Sequence, residues 1–250
     1  MAFSVKAGFR TDRGKMRGNN EDALLVLPRF SIYAVADGVG GHNSGELASR
    51  KAVTGIERFI EAHPIDAVYE GDDSNAALMD YFLTCFRDIN AEILSLSRSA
   101  VYNSGMATTT VVAHICEDRL YIINIGDSRA YMIRDGGISQ ITVDHTVVNK
   151  LISSGKLTRE EARVHPRKNE ITRALGAEDE VLPDFFVTKL VRGDRLILCT
   201  DGLYGEVTDE EICRIAAVPG ELNEICKSLV ERANKNGGRD NITVICVEIE

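Results

Sequence analysis

No eighteen consecutive apolar residues occur anywhere in the 250-residue chain, so no segment has the span of a membrane-crossing helix. The N-terminus, Met-Ala-Phe-Ser-Val-Lys, lacks the apolar core of a secretory signal. None of the six cysteines (Cys85, Cys116, Cys199, Cys213, Cys226, Cys246) forms a CxxC pair, and most sit inside apolar runs. They read as buried reduced thiols, and the expected location is cytoplasmic. Prolines number only five and are scattered. Without a Pro/Ser-rich linker, an internal repeat or a low-complexity tract, one domain over residues 1–250 is expected. Positive charge is in deficit, 29 Lys and Arg against 38 Asp and Glu for a net −9, which disfavours nucleic acid or an anionic membrane as partner. The glycines between Gly38 and Gly45 do not fit GxGxxG and no GxxxxGK[ST] is present, so nucleotide binding has no support.

What is present is a series of short apolar runs bounded by Gly, Asp or Asn: Ser31 to Ala36, Thr108 to Ile115, Leu120 to Ile125, Arg129 to Ile133, Asp194 to Cys199 and Ile242 to Ile249. These spacings predict strands. Glu117-Asp118-Arg119 and Asp135-Gly136-Gly137 are too short to hold crossover helices, which points to antiparallel pairing. Ala52, Ile56, Phe59 and Ile60, then Leu78, Phe82, Cys85, Ile89 and Ile93, recur at helical spacing. Thr158 with Glu161 and Thr208 with Glu211 have the form of capping boxes, and a last helix is expected from about Glu221 to Asn234. The order of elements is that of an α+β chain.

Four aspartates share one local context, a strand end beside a small or turn-forming residue. Asp37 follows Tyr33-Ala34-Val35-Ala36 and meets Gly38; Asp127 follows Asn124-Ile125-Gly126; Asp201 ends Ile197-Leu198-Cys199-Thr200 and meets Gly202; Asp240 precedes Asn241 and the last strand. Singly, each is an ordinary turn signal. Together they would crowd carboxylates at a sheet edge, which demands protons or cations in compensation. An all-oxygen set without paired His or Cys favours Mg²⁺ or Mn²⁺ over zinc. Upstream, Arg17-Gly18-Asn19-Asn20-Glu21-Asp22 is a polar loop. Its Arg17 has the planar fork suited to a phosphate dianion, and Glu21 and Asp22 suit ion-held waters.

These words, taken in order, carry a resemblance. RGNNEDA (17–23), VADGVGGH (35–42), GMATT (105–109), GDSR (126–129), TRALG (172–176), TDG (200–202) and GRDNIT (238–243) resemble the bacterial-type members of the metal-dependent protein phosphatase family, the protein phosphatase 2C group. The resemblance implies a four-layer α-β-β-α sandwich, two antiparallel sheets flanked by antiparallel helices, with metals at one end. It implies that Asp37 bridges two ions, that Asp201 and Asp240 complete one, and that the Gly38 carbonyl helps bind the other. Asp22 and Glu21 fall in the outer metal sphere, Asp127 with Asp201 would hold a weaker third ion, Arg17 grips phosphate, and His42 is a candidate proton donor. The stretch from about 145 to 175 matches the variable flap. Two positions depart from the family words, Val39 for Met and Ala107 for Gly; neither removes a polar catalytic group.

The expected activity is hydrolysis of phosphoserine and phosphothreonine on other proteins. A water shared by two ions attacks phosphorus in line with the ester oxygen, and His42 or another water protonates the leaving group. Expected partners are phosphoprotein substrates, including a Ser/Thr protein kinase, and the expected assembly is a monomer. Cys226 and Arg232 have the six-residue spacing of a cysteine phosphatase, but no glycine-rich cradle lies between them, and Cys226, Leu229 and Val230 fall on one helical stripe. A binding module without turnover should have lost metal ligands, whereas Asp37, Asp201 and Asp240 are present. A metal-dependent hydrolase of small phosphate esters or nucleotides stays open, because it would share the metals and differ only in the flap. His63, His114, His145 and His165 carry structural or solvated roles by default.

Overall fold

A strand buried on both sides sends alternate side chains into two different cores. Strand β3 (Ile32–Val39) does this: Ile32, Ala34 and Ala36 enter one apolar cluster, while Tyr33 and Val35 enter another. Strand β11 (Ile242–Ile249) repeats the pattern, Val244 and Cys246 facing a third cluster and Ile245, Val247 and Ile249 the one shared with β3. Three stacked cores mean four layers, and each fully buried Ile, Phe or Tyr in them contributes about 1.5–3 kcal/mol.

The structure is a computed structural model that describes residues 3–41, 44–70, 74–99 and 105–250. One sheet runs β1 (Val5–Asp12), β11, β10 (Arg195–Cys199), β7 (Arg129–Arg134), β8 (Gly137–Gln140). The other runs β2 (Asp22–Leu27), β3, β5 (Thr110–Cys116), β6 (Arg119–Ile125), β9 (Asp184–Lys189), with the short β4 (Ala107–Thr108) on β3. Every pairing is antiparallel. Helices α1 (Ser44–Ala62) and α2 (Ser74–Ser99) cover the second sheet through Ala52, Ile56, Phe82 and Ile89. Helices α6 (Asp209–Ala216) and α7 (Leu222–Asn236) cover the first through Ile212, Ile225, Cys226 and Leu229. The α-β-β-α order expected from the resemblance is the observed one, and Cys226 is a fully buried core thiol.

Differences from the sequence reading have local causes. The run from Thr108 to Ile115 breaks at Thr109, whose backbone N–H and side chain turn to Asp37 instead of the ladder. Asp201 does not end a strand. It opens the short helix α5 (Asp201–Tyr204), with β10 stopping at Cys199. At Thr158 both halves of the capping box form, whereas at Thr208 the hydroxyl accepts from the Glu211 N–H without the reciprocal bond. Strands β1 and β9, polar at many positions, were not signalled by apolar runs. The flap holds α3 (Val147–Ser153) and α4 (Arg159–Val164) and is closed at its root by a bridge from Thr146 to Ile171.

Candidate metal centre

Antiparallel pairing decides which aspartates meet. Strands β10 and β11 are neighbours, so the end of one and the start of the other share an edge, and Asp201 and Asp240 lie just beyond them. On the facing sheet, Asp22 and Asp37 are direct cross-strand partners. A single hydroxyl ties the two edges: Thr200 Oγ1 donates to Asp22 Oδ2 at 2.8 Å and accepts from the Thr243 N–H at 3.0 Å. Asp127 arrives on the turn between β6 and β7. The departures at 39 and 107 prove to be cross-strand partners of each other on β3 and β4.

Backbone detail frees the Asp37 carboxylate for the site. Its N–H donates to Thr109 Oγ1 (3.2 Å), and its carbonyl accepts from the Thr109 N–H (2.9 Å) and from Thr108 Oγ1 (2.9 Å). The Gly38 N–H donates to the Glu21 carbonyl at 3.1 Å. Gly45, at the start of α1, is bare for a reason: a Cβ there would stand 2.6 Å from Glu21 Oε2 and 2.8 Å from the Gly38 carbonyl oxygen. Gly202 is equally constrained, since a Cβ would overlap the Asn241 carbonyl. That contact locks the helix carrying Asp201 against the chain carrying Asp240.

The electrostatics are those of anions forced together. Burial, then neighbouring carboxylates, pushes Asp22 and Asp127 up to about 7 and Asp201 up to about 6, and holds Asp37 well above the usual carboxylate range. After burial, the largest push on Asp201 comes from Asp240 and the largest on Asp37 from Asp22. Asp22 Oδ1 and Asp201 Oδ1 are buried and, among the described residues, have no hydrogen-bond partner. Orphaned buried carboxylate oxygens are costly unless a cation meets them, and a hard, all-oxygen donor set fits Mg²⁺ or Mn²⁺. Among the described residues no three His, Cys, Asp or Glu side chains converge as a closed chelate. The aspartates come from two pairs of neighbouring positions, Asp22 with Asp37 across β2 and β3, and Asp201 with Asp240 beyond the paired ends of β10 and β11.

Arg17 stands half-exposed at the rim, its Nη2 donating to Asp240 Oδ2 at 2.6 Å. Glu21 lies beside Gly38 and Gly45, its N–H donating to Asn241 Oδ1 at 2.8 Å. His42 lies outside the described residues. A cleft of about 1170 Å³ opens over Asp127, Asp201 and Asp240, with Val148 and Asn149 of the flap as its wall.

Several residues behind the carboxylates have partners that no spacing in the sequence shows. Arg129 donates from Nε and Nη2 to the Asp144 carboxylate (2.6–3.1 Å) and from Nη1 to the Tyr131 hydroxyl (2.7 Å), and its guanidinium lies 3.6 Å from the centre of the Tyr204 ring. The Tyr204 hydroxyl donates to the Asp127 carbonyl at 2.9 Å. Asp127 and the helix bearing Asp201 are thereby fixed to one another. His145, expected to be structural or solvated, is buried, and burial followed by the neighbouring Arg173 lowers its basicity despite Asp184. Apart from Arg129 to Tyr131, such links span fifteen or more residues, so only a motif word such as GDSR hinted at them.

A model of the family described as protein phosphatase 2C matches residues 10–242. The serine/threonine phosphatase stp of Listeria monocytogenes is 37% identical over 248 residues, covering 98% of this chain and 96% of the relative. The Mycobacterium tuberculosis serine/threonine phosphatase PstP/Ppp superposes with a TM-score of 0.87 at 36% identity, over 98% of this chain and 99% of that one. A crystal structure of the PstP catalytic domain in complex with two manganese ions gives a TM-score of 0.84 at 35% identity, over 99% of each chain.

Proposed function

The chain belongs to the protein phosphatase 2C family as a metal-dependent serine/threonine protein phosphatase, and from that premise we propose how its own residues divide the work. Asp37, Asp201, Asp240 and the Gly38 carbonyl hold two divalent ions, Mn²⁺ or Mg²⁺, with Asp22 and Glu21 in the outer sphere. Asp127 and Asp201 hold a weaker third. Bound there, the ions neutralise the phosphate dianion and supply a nucleophile from water at neutral pH. Arg17 orients the phosphoryl oxygens through its planar fork. Thr108 and Thr109 bond the Asp37 backbone and so leave its carboxylate free for the ions. His42 gives the departing seryl or threonyl oxygen its proton, an assignment made from the sequence word alone.

The observation that carries this reading is the meeting of Asp22, Asp37, Asp201 and Asp240 at one edge of the sandwich, two of them with orphaned buried oxygens. The flap beside the cleft selects among phosphoprotein substrates, and the enzyme opposes a Ser/Thr protein kinase in cytoplasmic signalling. Residues 1–250 act as a single catalytic domain, monomeric and without nucleic acid or membrane as partner; among the described residues no helix is long and apolar enough to cross a membrane. The test is phosphate release from a phosphothreonine peptide with Mn²⁺ and with EDTA, for the native chain and for Asp37→Ala, Asp201→Ala and Asp240→Ala. Manganese-dependent turnover lost in all three variants supports the assignment. Turnover in EDTA, or full activity in any of the three, overturns it.

A further inference from the structure

The flap root grips the turn that carries Asp127 through one buried ring. His145 donates its backbone N–H to the Gly126 carbonyl (2.9 Å), and the Gly126 N–H donates back to the ring at Nδ1 (3.1 Å). The His145 carbonyl accepts from the Thr172 N–H at 2.7 Å, which ties the returning arm of the flap to the same residue. On the ring's far side, Nε2 lies 3.1 Å from Asp184 Oδ2 and 3.1 Å from Arg173 Nη1, and that Nη1 donates to Asp184 Oδ1 at 2.8 Å.

These contacts leave one proton arrangement. A backbone N–H has a fixed hydrogen, so Nδ1 must be the bare, accepting nitrogen. A neutral imidazole then carries its hydrogen on Nε2, and among the groups there only the Asp184 carboxylate can accept it. Arg173, all donor, pairs with the carboxylate and not with the ring. We propose that His145, with its hydrogen held on Nε2 by Asp184, is a positioning residue that fixes the Gly126–Asp127 turn for cation binding and joins that turn to the flap root. The proposal rests on the reading that Asp127 holds a weaker ion. A purely packing role for His145 would make the ring's tautomer irrelevant, which allows the two to be separated.

Asp184→Asn tests this with almost no change of volume. Arg173 would claim the new amide oxygen, leaving the amide NH₂ facing Nε2. The ring must then move its hydrogen to Nδ1, where it opposes the Gly126 N–H donor to donor. His145→Asn keeps an acceptor at the same distance from the backbone as Nδ1, and His145→Leu keeps bulk without one. Mn²⁺ binding to the full chain is followed by electron paramagnetic resonance, and the ring tautomer by ¹⁵N NMR of the metal-free protein.

The expected result is a weak class of Mn²⁺ sites that disappears in Asp127→Asn, weakens about tenfold in Asp184→Asn and His145→Leu, and stays near native in His145→Asn, the tight class being unchanged throughout. Should His145→Leu not fold, Asp184→Asn decides. A native ring with its hydrogen on Nδ1 overturns the proposal, as does an unchanged weak class in Asp184→Asn when Asp127→Asn abolishes it. If Asp127→Asn changes no Mn²⁺ binding, the assignment of an ion to Asp127 is what fails, and the inference falls with it.

Discussion

Without metal, the acid cluster should make the protein less stable as pH rises toward neutrality, the reverse of ordinary acid denaturation. Asp127 isolates the effect. Its carboxyl group is pushed from 3.8 up to about 7, first by burial and then by Asp201. A group with a raised folded pKa stabilises the fold fully below its unfolded pKa, and that contribution is lost as pH climbs through the folded value, here between about pH 4 and pH 7. A shift of about three units corresponds to about 4 kcal/mol, or about 10 °C in melting temperature for a domain of this size. Thermal unfolding in EDTA across pH 5 to 8 measures it, with Asp127→Asn as reference because the amide cannot ionise. The variant should be more stable than the native chain at pH 8 by up to about 4 kcal/mol, with the gap shrinking toward pH 5. Saturating Mn²⁺ should remove most of the native chain's deficit. A native chain whose metal-free stability is flat or rising from pH 5 to 8 relative to the variant would refute the argument that these carboxylates are held together against their own repulsion.

Two further expectations concern the scaffold. His114 is buried, and desolvation lowers it from 6.5 to about 4; its contribution is present above pH 6.5 and lost as pH falls toward 4, about 3 kcal/mol in all, so His114→Gln should flatten the acid limb of an equilibrium unfolding curve measured with the metal sites saturated. Gly202→Ala would drive a Cβ into the Asn241 carbonyl and should cost more than 2 kcal/mol while weakening Mn²⁺ binding by separating Asp201 from Asp240; calorimetry that finds native affinity in the folded variant would show that the close approach is not what aligns them.

The strands of the two central layers were legible because burial on both faces makes them continuous apolar words: Tyr33-Ala34-Val35-Ala36 and Ile242 to Ile249 need no alternation to be seen. Strand β1, with Phe9 and Arg10 exposed at the edge of its sheet, has no such run and is fixed by its ladder to β11 and by helix α7, whose Asn223 Oδ1 accepts from the Phe9 N–H. The aspartates were legible as a class through the turn residues beside them. Their electrostatic role was not, because it depends on Asp22 meeting Asp37 across a ladder and Asp201 meeting Asp240 through a bare glycine. The partners of Arg129, Tyr204 and His145 were illegible for the same reason: each acts through a residue brought near by the fold. Thr108, Thr109 and Arg129 lie inside motif words that mark the positions but not their partners, and the structure supplies the cause.

The neighbours of β11 bear on how the protein is made. That strand lies between β1 and β10 and pairs residue for residue with the opposite end of the chain, Val5 with Ile249 and Asp12 with Ile242. The first strand therefore waits through more than two hundred residues of synthesis before its ladder exists. Until then the sheet carrying Asp201 lacks the strand that joins β1 to β10, and Asp240 has no fixed place beside it. The helices and hairpins of the other half are local and can form early on the ribosome. Assembly of the acid cluster is thus a late event, and a nascent or truncated chain lacking β11 would hold folded pieces without a working centre.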